Sequence, residues 1–181
     1  MANLTNTYDL QEIDMATGYR FLFESEGPRS ILKAVRYSYV QVFEDRKVYN
    51  LGFGDYDLEK DRIVDQATSN NGDAYKVFQT VLSTVPHFFK HNPEAMLLVQ
   101  GSDGRSDFVE KCKEACLKRC TEACKKFNQR ITIYRNYVEK NFDSLSLAYW
   151  FLGGITSADG NITIERYLLG NKYDAILLFR K

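Results

Sequence analysis

The sequence predicts an α+β fold, and three observations carry that prediction. Apolar residues recur with period two between Tyr19 and Phe53, in runs separated by turns short enough only for hairpins. A helix-period run from Val77 to Val85 follows and leads into the compact apolar run Ala95–Gln100. Two more alternating runs, Ile162–Leu168 and Tyr173–Phe179, close the chain. Together they describe an antiparallel meander, a crossover helix, a central strand, a second helix and a C-terminal hairpin on one mixed sheet. With 181 residues, 44% of them apolar and 14% aromatic, the chain can bury a core as a single domain, 1–181.

Residues 1–16 are polar and weakly patterned, and read as an arm on the surface that carries no chemistry. Tyr19, Phe21 and Phe23 alternate with Arg20, Leu22 and Glu24 as in a strand. Glu26-Gly27-Pro28-Arg29 turns the chain. Ile31, Val35, Tyr37, Tyr39 and Phe43 then share one face of a long second strand, with Lys33 and Gln41 as exceptions near its ends. After the charged turn Glu44-Asp45-Arg46, a third strand places Tyr49, Leu51 and Phe53 on one side and Asn50 and Gly52 on the other. The acidic run from Asp55 to Asp61 resembles a calcium loop, but Lys60 stands at the glycine position and Gln66 at that of the bidentate glutamate. It reads instead as a solvated turn whose aspartates bond their own backbone.

A polar turn, Thr68 to Asp73, opens the first helix, whose apolar face is Val77, Phe78, Val81, Leu82 and Val85. Asn70 or Asn71 is the expected N-cap, and Asp73 suits the first turn through the helix dipole. Backbone N–H groups around Asn70, Asn71 and Gly72 offer an anion site, opposed by the charge of Asp73. Pro86 should kink or end the helix, and His87 and His91 read as surface histidines. Ala95–Gln100 has the composition of a strand buried on both faces. Ser102 and Arg105 lie just beyond its C-terminal end, where ligand sites gather in open α/β sheets, which makes them candidate ligand-binding residues against the alternative of a plain turn.

All four cysteines, Cys112, Cys116, Cys120 and Cys124, fall in one basic stretch. An unbroken helix would spread them over about 18 Å, drifting about 40° per step, too far for one zinc whose sulfur ligands lie about 2.3 Å away. A break near residues 117–121 would fold the two Cys-x-x-x-Cys pairs into a tetrahedral site, and the cationic neighbours favour thiolates. Three readings stand: a structural zinc, reduced thiols on an ordinary helix, or disulfide and redox chemistry. Residues 106–128 form a Cys-rich basic insert in the domain, and its Lys118, Arg119, Lys125 and Lys126 are candidate contacts to a protein or nucleic acid partner. The second helix follows, with Ile131, Tyr134, Tyr137 and Val138 inward and Arg130 at its edge.

Lys and Arg total 24, as do Asp and Glu, so no global field draws the chain to nucleic acid or to an anionic membrane. No run approaches the ~18 apolar residues of a membrane span, and the N-terminus lacks a secretory layout, so the expected setting is cytoplasmic with no membrane partner.

Several segments carry a resemblance: FGDYD (53–57), TSNNGDAYKVFQTV (68–81), QGSDGR (100–105), RITIYRNYVEKNFD (130–143) and the closing YDAILLFRK. In this order they resemble an uncharacterised bacterial domain family, a domain of unknown function, over nearly the whole chain. That resemblance implies no activity. The element order is more loosely similar to the core of GCN5-related N-acetyltransferases. Under that likeness Asn71-Gly72-Asp73 takes the place of the pyrophosphate loop and Tyr134 that of a tyrosine on the cofactor-contacting helix. It implies an acyltransferase-like enzyme using acetyl-CoA, with Tyr134 as a general acid; the family's Gly-rich loop is absent. Two functions therefore stand beside each other. One is a cytoplasmic binding or regulatory module presenting the basic cysteine segment, zinc-stiffened, to its partner. The other is an acyl-CoA-dependent acyltransferase.

Overall fold

The computed structural model describes residues 6–15, 18–64, 71–104, 107–114, 120, 123–157, 159 and 161–181. The class is α+β, with nine strands and four α-helices among the described residues. The chain divides into two compact units, 1–96 and 97–181.

In the first unit β1 (Gln11–Met15), β2 (Gly18–Ser25), β3 (Ile31–Phe43), β4 (Arg46–Asp57) and β5 (Arg62–Val64) pair antiparallel in that order. The expected meander is present and gains a strand at each side. The N-terminal arm is therefore corrected: β1 pairs along β2 from Gln11↔Leu22 to Met15↔Gly18. Its exposed Glu12 and Asp14 are the charges with which edge strands discourage further pairing, and they disguise the strand in the sequence. Tyr8, just before it, is buried, and its N–H donates to Thr80 Oγ1 at 2.9 Å.

Phe21, Val35, Tyr37 and Leu51 form the inner face of β2–β4, where helix α1 (Ala74–His91) contributes Val77, Val81 and Phe88. Burying such a side chain contributes about 1.5–3 kcal/mol. Tyr37 stacks on Phe88 with centroids 4.5 Å apart, and its hydroxyl shares a 2.7 Å hydrogen bond with Thr84 Oγ1. Contrary to the sequence expectation, α1 runs through Pro86 to His91. Pro86 is exposed, while Phe88 and Phe89 beyond it are fully buried, so packing of the last turn offsets the one lost backbone hydrogen bond. Glu44 and Asp45 both take positive φ, 46° and 61°, which gives the β3–β4 hairpin the twist of a tight two-residue turn. A register shift between Tyr39 and Gln41 interrupts the alternation of β3 and leaves Val40 and Val42 exposed.

In the second unit β6 (Met96–Gln100) lies beside β9 (Ala175–Arg180), and β7 (Tyr149–Thr156) pairs antiparallel with both β9 and β8 (Ile162–Arg166). The two closing runs therefore do not pair with each other; β7 lies between them. At Gly153 of β7 a Cβ would stand 2.2 Å from the Tyr173 ring, so the glycine leaves room for that tyrosine. Tyr173 is buried against β7, and its hydroxyl donates to Glu165 Oε1 at 2.9 Å and accepts the Leu168 N–H at 3.1 Å. Gly170-Asn171-Lys172 thus belongs to a wide link packed around a tyrosine. Helices α2 (Phe108–Glu114), α3 (Gln129–Lys140) and α4 (Phe142–Leu145) complete the unit. No described helix is long and apolar enough to cross a membrane.

Candidate functional site

Lys33 is no edge exception. It is 5% exposed, Asp55 is 9% exposed, and the two stand opposite each other in register on β3 and β4. Lys33 Nζ lies 2.5 Å from Asp55 Oδ1 and 5.9 Å from the centroid of the Phe53 ring. Taking both charges out of water costs several kcal/mol per ion, roughly, which their mutual attraction in a low-dielectric site must offset.

A second polar group gathers at the start of α1. Asp73 is the N-cap residue but makes no side-chain capping bond. Its Oδ2 accepts instead from Ser25 Oγ at 2.6 Å and from the Tyr8 hydroxyl at 2.8 Å. Desolvation opposes ionisation of Asp73, yet these two hydrogen bonds, helped by the charge of Lys33, hold its carboxyl below the usual range. Burial, then the bond to Asp73, pushes the Tyr8 hydroxyl up. The expected cap Asn71 serves elsewhere: its Nδ2 donates to Ser25 Oγ at 3.0 Å and to the Arg29 carbonyl at 2.8 Å. Gly72 is exposed with φ +73°, and Asn70 lies outside the described residues. An anion approaching this helix start would meet the Asp73 carboxylate.

The acidic run that begins at the end of β4 divides among three tasks. Asp55 pairs with Lys33; Asp57 Oδ1 accepts the N–H groups of Glu59 and Lys60, both at 3.1 Å, as a self-bonded turn should. Asp61 accepts from Arg20 at 2.7 Å and from the Tyr56 hydroxyl, and these bonds, the tyrosine's first, hold it below the usual carboxylate range.

An open cleft of about 760 Å³ lies where β3 runs past the start of β2. Gly18 pairs with Ser38, so beyond Ser38 strand β3 is paired only by β4 among the described residues. Tyr19, Tyr39, Tyr49, Arg36, Lys47 and Asn92 line the cleft, with Asp14 on the same rim. Tyr39 is 51% exposed and meets Tyr49 edge-on at 5.9 Å; Tyr19 stacks on His91 at 5.2 Å, whose Nε2 is 3.5 Å from Glu12. The sequence pattern places Tyr39 on the face of Val35 and Tyr37 and Tyr49 on the side of Leu51 and Phe53, with nothing to say that the two rings line a cleft. The one signal available was Gln41, which broke the alternation where the bulge now sits.

In the second unit the 3-10 turn Ser102–Gly104 packs on the start of α3. Asp103, 5% exposed, accepts the Arg130 N–H on Oδ2 at 2.9 Å, and its carbonyl accepts the Asn128 N–H at 3.2 Å. It caps the helix from a distant part of the chain, a task that no local sequence pattern announces. Its Oδ1 is buried without a hydrogen-bond partner among the described residues. Arg130 and Tyr134, both on α3, lie near this carboxylate. Burial pushes the Tyr134 hydroxyl up to about 12, with Arg130 pulling down and Asp103 pushing up. A phenol so placed keeps its proton at neutral pH, far from the pKa that serves a general acid best. Ser102 contributes its backbone to the turn, and Arg105 lies outside the described residues.

Cys112 lies in α2, which ends at Glu114, whereas Cys120 and Cys124 lie outside any helix. The described thiols do not ride one continuous helix. The Lys125 N–H donates to Cys120 Sγ at 3.3 Å. Cys116, Lys118 and Arg119 lie outside the described residues, while Lys125 is exposed and Lys126 half-buried. Among the described residues, no group of three or more His, Cys, Asp or Glu is placed to hold a metal.

A protein-family model described as a family of unknown function (DUF6934) matches residues 5–181. No match was found among curated proteins or among solved structures.

Proposed function

We propose that this chain, which belongs to the family of unknown function (DUF6934), is a binding module that takes single-stranded nucleic acid in the cleft at the open end of β1–β4. The observation that carries the reading is the convergence of Tyr19, Tyr39 and Tyr49 with Arg36 and Lys47 around one open volume. Aromatic faces stack bases for about 1–3 kcal/mol each, and cations on the rim follow the phosphates. With a formal net charge of zero, the attraction is local to this rim. Asp14 repels phosphate, so the backbone of the ligand passes on the Arg36–Lys47 side.

The basic cysteine segment belongs to the same reading as a second contact, through Lys118, Arg119, Lys125 and Lys126. A structural zinc on Cys112, Cys116, Cys120 and Cys124 would stiffen it, which metal analysis of protein purified without a His tag checks. The setting of such a module is cytoplasmic. The acyl-CoA alternative rests on element order alone, and fold analogy does not carry an activity.

Fluorescence anisotropy with labelled single-stranded DNA and RNA at low salt tests the proposal. Arg36→Ala/Lys47→Ala should weaken binding at least about tenfold and flatten its salt dependence, and Tyr39→Ala should cost about 1–3 kcal/mol. Absence of binding by the wild-type chain sinks the reading. Binding that survives both cleft variants but is lost in Lys125→Ala/Lys126→Ala moves the site to the cysteine segment.

A further inference from the structure

The Lys33–Asp55 pair is arranged as reactants are. The two side chains face each other across β3 and β4, both buried, with Nζ 2.5 Å from Oδ1. Phe23 is the partner of Lys33 on the neighbouring strand, and the Phe53 ring lies near Nζ. The second carboxylate oxygen, Asp55 Oδ2, is buried with no hydrogen-bond partner among the described residues. Most buried polar atoms find a hydrogen-bond partner, and here one oxygen of a carboxylate that faces a buried amine is bare.

We propose that Lys33 and Asp55 condense to an intramolecular isopeptide bond. One proton first passes from Nζ to the carboxylate, giving a neutral amine and a carboxylic acid. The amine lone pair attacks Cγ and the C–N bond forms. The C–O bond to Oδ2 breaks, and that oxygen leaves as water, carrying both protons that nitrogen has lost. No oxidant and no second reactant takes part. Burial favours the step, because a neutral pair is less costly in a low-dielectric site than two charges, and a dry site slows the return by hydrolysis. Fixed opposition on paired strands replaces a bimolecular encounter.

Mass spectrometry of the denatured full chain tests this without any variant. The expected mass is that of the sequence less one water, and a tryptic digest should contain a branched peptide joining the segment around Lys33 to the one around Asp55. Asp55→Ala should restore the full mass. A wild-type chain at full sequence mass, with linear peptides at both positions, overturns the proposal and leaves an ion pair. A water loss that maps to Asp103-Gly104, where an aspartyl succinimide forms by the same mass change, overturns it equally.

Discussion

The two units bury polar groups in opposite chemical forms. The interior of residues 1–96 is built from side chains that ionise when unlinked: Lys33 against Asp55, a buried Arg20, and an Asp73 kept ionised by two hydroxyl donors. The interior of residues 97–181 holds neutral phenols and a carboxylate that accepts one backbone amide. Burial pushes Tyr134 and Tyr167 up to about 12, and Asp103 receives the Arg130 N–H. The first unit therefore depends on both members of a pair being present, and the second on protons staying where they are. Each has its own way to fail, by substitution in one case and by alkali in the other.

The largest effect is expected at Lys33. Lys33→Met leaves the Asp55 carboxylate buried and uncompensated, which costs about 3–5 kcal/mol, and it removes the proposed cross-link as well. The double change Lys33→Met/Asp55→Leu sharpens the comparison. Replacing a simple buried ion pair by apolar residues is close to neutral or stabilising. Losing a covalent link that closes the β3–β4 loop costs about 3 kcal/mol on the chain-entropy account developed for disulfides. Guanidinium unfolding of the double variant should therefore stay about 3 kcal/mol below wild type. Full recovery would mean that the pair is ionic and the first unit merely carries an ordinary salt bridge.

Alkali probes the other side. Tyr134 and Tyr167 have folded values of about 12, above the ordinary 10.0, so their contribution is complete below pH ~10 and is lost as pH rises through about 12. At about 1.4 kcal/mol per unit, each is worth on the order of 2–3 kcal/mol across that window. Tyr167 gives the cleaner test, because its hydroxyl is buried without a hydrogen-bond partner among the described residues. Tyr167→Phe should raise the pH of alkaline unfolding and leave stability at neutral pH equal or higher. If Tyr167→Phe and Tyr134→Phe both unfold at the wild-type alkaline pH, followed by tyrosinate absorbance, the contrast between the units fails.

What could be seen in the sequence was whatever depends on neighbours along the chain. Alternation gave β2, β3 and β4, and helical spacing gave α1 and α3, because both periods are local. Lys33 reads as an exception near the end of a strand, since its partner stands 22 positions away and register is not written in either segment. Asp103 was overlooked for the same reason, lying 27 positions from the amide it satisfies. The closing runs suggested a hairpin by proximity, whereas β7 lies between them. Strand β1 was hidden by the acidic residues that suit an edge. The family resemblance was legible from whole segments, yet it named no site, and the cleft emerged only where a bulge exposes Tyr39.

The smallest effect is expected where the first unit can be weakened without breaking its charges. Tyr8→Phe removes one of the two hydroxyls that hold Asp73, at a cost of about 1 kcal/mol, while the Tyr8 N–H bond to Thr80 and the ring beneath Lys76 remain. The folded value of Asp73 lies below the ordinary 3.8, so its contribution is present above that value and disappears as pH falls through the lower folded one. Losing a donor moves the folded value back up, and acid unfolding should begin at a higher pH than in wild type. The second unit also has a lowered carboxylate, Asp159, but it sits in an exposed turn bonded to Ser157 and Asn161, where solvent screens it. Acid sensitivity that responds to Tyr8→Phe and not to Ser157→Ala therefore assigns the acid limb to the first unit. The reverse response would place it in the surface turn and remove the acid half of the comparison.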